Sequence, residues 1–280
     1  MTGPSTTHAL DIGPDTVTKR YPSWEHQQPQ REWRALELLT VHAPGLAPAP
    51  VRAGLDAVPP TIMMSRLTGV PLGLTAVTTD QLEAMVIAIT TVQETIPTHV
   101  VRELPPRLGA PAAMLQQVRA QYSRRPDLGG DPLVVKAFDA GADWLFAPEI
   151  ESLLTSRSRP VFGSGDGNLG NFLWGTDLWG TDGRVHLVDF EYSGRSDRCH
   201  ELAEIAEHIT LWATQALDPE TLLARFDLTA DENPRLRQLR RLMACLWFLR
   251  LLPGGSAHFR NPVGTLQRQA ERFLILLQDG

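Results

Sequence analysis

Two short stretches, residues 164–174 and 185–191, carry single acids and amides set between apolar runs. Asp166, Asn171 and Asp189 are residue types that act on a proton or on a hard cation. A carboxylate can accept the proton of an attacking hydroxyl. An Asn carbonyl and a second carboxylate can supply oxygen ligands to Mg²⁺ bridging nucleotide phosphates. Together these are the means of phosphoryl transfer, and Glu191 adds a further acid two positions beyond Asp189.

Other chemistries find less support. There is no G-x-x-x-x-G-K-[ST] loop and no H-E-x-x-H pair, and the eight His are scattered. Gly163-Ser164-Gly165 approaches a nucleophile elbow, but Phe162 stands where the first Gly of G-x-S-x-G is required. Cys199 and Cys245 are the only cysteines, too few for a disulfide framework and without C-x-x-C spacing, which fits a reducing compartment.

The elements that must position these residues can be read around them. Residues 10–21 give a strand-turn-strand with Gly13-Pro14-Asp15 as the turn, and 28–42 a helix with Trp33, Leu36 and Leu39 at helical spacing. A β-like run follows at 61–64. Thr78 and Gln81 form a capping box ahead of a helix whose apolar face is Leu82, Met85, Val86, Ile89 and Val92. Further helices are expected over 110–124, 132–156, 199–216, 231–252 and 263–278, with a strand-rich insert at 161–193. Inside that insert Leu-Trp-Gly-Thr-Asp occurs twice in succession, at 173–177 and 178–182, and reads as a neutral hairpin extension.

Asp166 to Asn171 has the D-x-x-x-x-N spacing of the catalytic loop of kinase-fold enzymes, and Asp189-Phe190-Glu191 stands where their metal-binding Asp falls. Asp166 and Asp189 are 23 positions apart, or 18 without the five-residue repeat, close to the separation in those folds. On these motifs the sequence resembles the aminoglycoside phosphotransferase and choline kinase superfamily, from Lys19 to about residue 208. The resemblance implies an α+β, protein-kinase-like two-lobe fold. A short β-containing nucleotide-binding lobe would span 1–67, and a large helical lobe with the catalytic loop and acceptor site 68–280.

The resemblance also implies roles. Asp166 would be the catalytic base, with Asn171 and Asp189 holding Mg²⁺; Glu191 would be either a further metal ligand or a solvated strand-end residue. Lys19 would be the strand lysine on the ATP phosphates, Glu32 its helix partner and Glu37 the fallback. Met64 would lie beside adenine, which pairs with the Ser65 carbonyl and the Leu67 amide. Asp197 and Glu201 would buttress the site. Two departures stand out: Ser164 replaces the family's His, and only 18 residues precede Lys19, leaving Gly3-Pro4-Ser5-Thr6-Thr7 as the remnant of a phosphate-covering loop.

The implied activity is ATP-dependent transfer of a γ-phosphoryl group to a hydroxyl of a small molecule; the rival reading is a catalytically silent kinase-fold binding protein. A net charge of −6 with no long basic run argues against a nucleic-acid partner. The most apolar stretch, 242–252, is short and broken by Arg250, so a cytoplasmic protein without a membrane partner is expected. Among acceptors, Glu201, Glu204 and Glu207 on one helix would suit polycations such as aminoglycosides. Trp144, Trp174, Trp179, Trp212 and Trp247 form either an aromatic cage for a quaternary amine or, more simply, core.

Overall fold

The structure, a computed structural model, describes residues 8–155, 158–175 and 183–278. The loop remnant at 3–7 and most of the tandem repeat therefore lie outside the described residues. The chain divides into two compact units, Met1–Leu108 with Arg159–Glu201, and Gly109–Ser158 with Leu202–Gly280.

In the first unit, β1 (Ala9–Ile12) and β2 (Thr16–Arg20) form the expected hairpin, closed where Gly13 N–H donates to the Thr16 carbonyl at 2.8 Å. Next comes α1 (Gln28–His42), with Pro29 in its first turn, where a missing N–H costs nothing, and with Glu32, Ala35, Leu36 and Leu39 buried. β3 (Pro50–Gly54) and β4 (Thr61–Ser65) complete an antiparallel sheet in the order β1-β2-β4-β3. The alternation Ile62, Met64 puts β4's apolar side inward, as its sequence predicts. β3 escapes a sequence reading because it opens on Pro50, exposes Val51 and Arg52, and slips register between Pro50 and Arg52.

Short β5 (Gly69–Pro71) precedes α2 (Thr79–Thr95), whose capping box at Thr78 and Gln81 is present as expected, and α3 (Thr98–Glu103). The strand-rich insert then supplies β6 (Pro160–Gly163), β7 (Phe172–Gly175), β8 (Val185–Leu187) and β9 (Gly194–Asp197). They make two small antiparallel sheets, β5-β7-β8 and β6-β9. Both chemical stretches are thereby anchored at each end: 164–171 between β6 and β7, and 188–193 between β8 and β9.

The second unit is helical: α4 (Pro111–Ser123), α5 (Pro132–Leu145), α6 (Ile150–Thr155), most of α7 (Arg198–Glu207), α8 (Ile209–Trp212), α9 (Pro219–Leu223), α10 (Glu232–Leu251) and α11 (Thr265–Gln278). The single helices expected over 132–156 and 199–216 are each two. Pro148 interrupts the first, since it has no N–H to donate and its ring clashes with the preceding turn. His208 interrupts the second: its backbone is extended and its Nδ1 accepts from Thr210 N–H at 3.3 Å, opening a new helix.

Phe248 and Phe273, both fully buried, pack 5.9 Å apart between α10 and α11. The tryptophans of this unit serve the packing rather than a cage. Trp144 meets Phe273 edge-on and donates to Gln238 Oε1 at 2.9 Å, while Trp212 and Trp247 cover a cluster of Ile209, Leu251 and Ala257. Among the described residues no helix is long and apolar enough to cross a membrane.

Candidate active site

All the residues singled out for nucleotide and proton chemistry fall in the first unit. Lys19, on β2 and only 5% exposed, directs its ammonium at three carboxylates: Asp189 Oδ1 at 2.5 Å, Glu32 Oε2 at 2.6 Å and Glu191 Oε2 at 2.8 Å. Glu32 is the helix partner expected, presented from the buried side of α1; Glu37 lies on the exposed side. Two further residues close the cluster. The Tyr21 hydroxyl donates to Glu32 Oε2, and His8 Nε2 contacts Glu191 while its ring lies 4.7 Å from that of Tyr21. Neither has a motif, though Tyr21 was reachable from the strand alternation that puts positions 19 and 21 on one face.

Charge balance in this cluster is unequal. Burial alone would depress the Lys19 ammonium, but Glu32, Asp189 and Glu191 outweigh it and hold it above the ordinary lysine range. Crowding works the other way on Asp189. Burial lifts its carboxyl to about 7, Lys19 opposes the rise, and Glu32 and Glu191 add to it. Burial also pushes Glu191 upward, but the bond from His8 and the charge of Lys19 prevail and hold it below the usual carboxylate range. The Tyr21 phenol, raised by burial and by Glu32, stays a proton donor.

Asp189 adopts φ +70°, a left-handed conformation that Asp tolerates better than most residues. It is imposed from both sides. Val188 N–H donates to the Asn171 carbonyl at 3.0 Å, Ser193 N–H donates to the Phe190 carbonyl at 2.9 Å, and Phe190 is fully buried. Between these constraints the backbone turns so that Asp189 reaches Lys19 while its side chain keeps 37% of its surface open.

The loop after β6 is closed by its own polar residues. Asp166 accepts from Asn168 N–H (Oδ1, 3.0 Å) and from the Asn171 amide (Oδ2, 3.2 Å), and Asn168 Oδ1 caps the short turn Leu169–Asn171 at Gly170 N–H, 2.9 Å. The D-x-x-x-x-N spacing therefore joins its two ends directly. Gly165 makes this possible: at φ +92°, a Cβ there would stand 2.4 Å from the Tyr192 carbonyl carbon. The Asn171 carbonyl bonded to Val188 ties this loop to the Asp189 turn.

A residue outside every motif braces the loop against β9 and α7. Arg107, 4% exposed, donates from Nη2 to the Gly165 carbonyl at 2.8 Å and from Nη1 to Glu201 Oε1 at 3.0 Å. Its backbone N–H bonds to the Arg195 carbonyl at 3.0 Å. Glu201 is thus consumed in a buried pair, and Glu207, fully buried, is held by Arg240 (2.8 Å from Nε) and Arg272 (2.5 Å from Nε). This corrects the expectation that Glu201 and Glu207 face a polycation, while Glu204 between them is half-buried: helical spacing groups acids but does not say which are buried. Asp197 caps the start of α7 by accepting from His200 N–H at 3.1 Å.

The segment expected to meet adenine follows from the sheet. Met64 is buried in β4 opposite Val17. Ser65 ends the strand with its N–H on the Ala49 carbonyl and its Oγ accepting from Ala49 N–H, both at 2.8 Å, and Leu67 lies just beyond. As for a metal, Glu32, Asp189 and Glu191 offer oxygens within 4.8 Å of one another, but Lys19 occupies their midst. The donors that suit a hard divalent cation are the partly open Asp189 carboxylate and the Asn171 amide oxygen, whose Nδ2 is turned to Asp166.

In structural comparison the chain is similar to choline kinase LicA from Streptococcus pneumoniae, at 16% identity and TM-score 0.64, over 100% of this chain and 92% of that one. A choline/ethanolamine kinase family protein from Mesorhizobium loti matches at 16% identity and TM-score 0.63, over 98% and 86% of the two chains. A thermostable mutant of aminoglycoside phosphotransferase APH(4)-Ia, in a ternary complex with AMP-PNP and hygromycin B, matches at 13% identity and TM-score 0.63, over 98% and 94%. These likenesses show the kinase-like fold: a small antiparallel sheet at the N-terminus and a helical C-terminal part. No curated protein matches the chain by sequence. The model of the phosphotransferase enzyme family, however, matches residues 9–240, from the first strand well into α10. Its span takes in Lys19 with its three carboxylates and the whole Asp166–Asp189 region, and on that match the chain belongs to the phosphotransferase enzyme family.

Proposed function

We propose that this protein is an ATP- and Mg²⁺-dependent phosphotransferase that moves the γ-phosphoryl group to a hydroxyl of a small molecule. The observation that carries this reading is Lys19, held by Glu32 beside Asp189, with the Asp166–Asn171 loop bonded to the same turn. Adenine is received at Met64, with the Ser65 carbonyl and Leu67 amide as its backbone partners. Lys19 turns from Asp189 to the phosphates, and Glu32 keeps its ammonium oriented. Asp166, fixed through both carboxylate oxygens, positions the acceptor hydroxyl and takes its proton as the oxygen bonds to the γ-phosphorus and the bond from that phosphorus to the β,γ-bridging oxygen breaks, releasing ADP. Asn171 and Asp189 would hold Mg²⁺, with Glu191 the further acid nearby; such an ion, when bound, would supply counter-charge to the phosphates. On this reading residues 1–67 form the nucleotide-binding lobe and 68–280 the lobe that receives the acceptor. The buried Cys199 and Cys245, neither in a disulfide, fit the reducing, ATP-rich cytoplasm.

The test is Mg²⁺-dependent ATP consumption against aminoglycosides, choline, amino alcohols and sugars, with Asp166→Ala beside the wild type. We expect one class to stimulate turnover, and the variant to lose about 10²- to 10⁴-fold in kcat while keeping nucleotide affinity. Nucleotide binding that is indifferent to Mg²⁺, with no turnover from either protein, would overturn the proposal in favour of a silent binding protein.

A further inference from the structure

α1 carries Arg31 next to Glu32, and the two side chains hold different parts of the site. Arg31 Nη1 donates to the Ser193 carbonyl and to the Pro106 carbonyl, each at 2.9 Å, and Nε donates to the His26 carbonyl at 3.1 Å. The Ser193 hydroxyl reaches back to the Arg31 carbonyl at 3.4 Å. Each acceptor belongs to a constrained segment. His26 and Gln27 enter α1 at φ +53° and +58°, two non-glycine residues in the left-handed region, so the start of the helix is a strained turn held partly by this guanidinium. Ser193 closes the turn that contains Asp189 and Glu191, and Pro106 precedes Arg107, which fixes the Gly165 carbonyl next to Asp166.

We infer that Arg31 is a positioning residue that registers α1 against the Asp189 turn, so that Glu32 and Asp189 meet Lys19 together. This rests on the proposed function, since it supposes that Lys19 and Asp189 serve a nucleotide. Its planar fork suits the task because one guanidinium bonds three carbonyls from three segments, which a lysine ammonium on a flexible stem does less well. Without it α1 keeps its apolar face, and so its fold, but its register on the turn is no longer fixed. The loss falls mainly on the nucleotide side, because Arg31 bonds the Ser193 carbonyl beside the Asp189 turn directly but reaches Asp166 only by way of Pro106 and Arg107, and Asp166 has its own partners in Asn168 and Asn171.

The experiment measures ATP·Mg²⁺ affinity by calorimetry, KM for ATP and for the acceptor, and Tm, in wild type, Arg31→Met, Arg31→Lys and Arg34→Met. Arg34 is exposed and lies one turn further along α1. For Arg31→Met we expect nucleotide Kd and KM for ATP to rise about 3- to 30-fold, with the acceptor KM within about 2-fold. Arg31→Lys should recover part of the loss, and Arg34→Met should match the wild type. Equal nucleotide affinity in wild type and both Arg31 variants overturns the inference, as does a parallel loss of both KM values that tracks a fall in Tm. Failure of the wild type to bind ATP·Mg²⁺ at all overturns the proposed function instead, and the inference with it.

Discussion

Each unit buries a cluster of charges, and the two clusters are built to opposite rules. In the helical unit Glu207 lies between Arg240 and Arg272, and Glu220, its side chain 66% exposed, reaches Arg240 from outside. Two acids meet two guanidiniums. Burial would depress Arg240, but Glu207 and Glu220 outweigh it and raise it, so every charge there has its counter-charge. In the β-containing unit one ammonium serves three carboxylates, one of them also met by His8, and burial with a contribution from the neighbouring acids lifts the carboxyl of Asp189, the member left partly open. A balanced cluster repays its desolvation internally and acts as a strut among helices. A surplus of acid is held at a cost in stability, and on the proposed function it is relieved when a cation arrives with the nucleotide.

The largest effect expected from this contrast is at Asp189. Asp189→Asn removes the most strained acid of the surplus and keeps an amide that can accept from Lys19. On the proposed function turnover should fall by about 10² or more, because Asp189 would be a hard ligand to the cation that accompanies the nucleotide. Stability should change by no more than about 1 kcal/mol, with solvent screening of the open carboxyl taken into account. Urea denaturation and initial-rate kinetics on the same preparation check both halves; a destabilised variant with intact turnover would make the Lys19 cluster the structural one.

Glu207→Gln should show the converse. It strips the shared acid from two arginines in a fully buried position, and breaking such a pair costs about 3–5 kcal/mol. Denaturant midpoints should fall accordingly, while nucleotide affinity, measured well below the lowered Tm, should stay within about 2-fold. A change in affinity without a change in stability would erase the distinction between the clusters.

How far these clusters could be read beforehand differs in the same way. The resemblance carried by the Asp166–Asn171 motif implies roles for Lys19, Glu32, Asp189 and Glu191, and the structure gathers the three acids on the Lys19 ammonium. His8, Arg31 and Arg107 carry no such signal, because backbone carbonyls and a single buried acid are among their partners and leave no pattern in residue types. Glu207 was misread because periodicity places it on a helix with Glu201 and Glu204 but is blind to the arginines of α10 and α11, 33 and 65 positions away. The hairpin, α1, α2 and β4 were legible from turn residues, caps and alternation, whereas β3 has a proline and a glycine at its ends and an exposed middle.

The smallest effect concerns how the balanced cluster is completed from outside. Asp218 caps α9, its Oδ2 accepting from the Thr221 N–H and hydroxyl at 2.8 Å each, and that helix presents Glu220 to Arg240 at 2.5 Å. What burial Asp218 has would raise its carboxyl, but the bonds from Thr221 prevail and hold it below the ordinary aspartate range. A group depressed in the folded state contributes stability above its unfolded value, near pH 4, and loses it as pH falls through the folded one. Asp218→Ala should therefore cost about 1 kcal/mol at neutral pH, and the gap from wild type should narrow on acidification below about pH 4. Asp218→Asn, which keeps an accepting oxygen, should recover most of the loss at neutral pH, and its difference from wild type should shift on acidification by the same amount, because neither variant titrates at this position. If instead Asp218→Ala approaches the cost of Glu207→Gln, Glu220 is an integral member of the cluster, and the balance of two acids against two guanidiniums depends on the cap that positions its exposed arm.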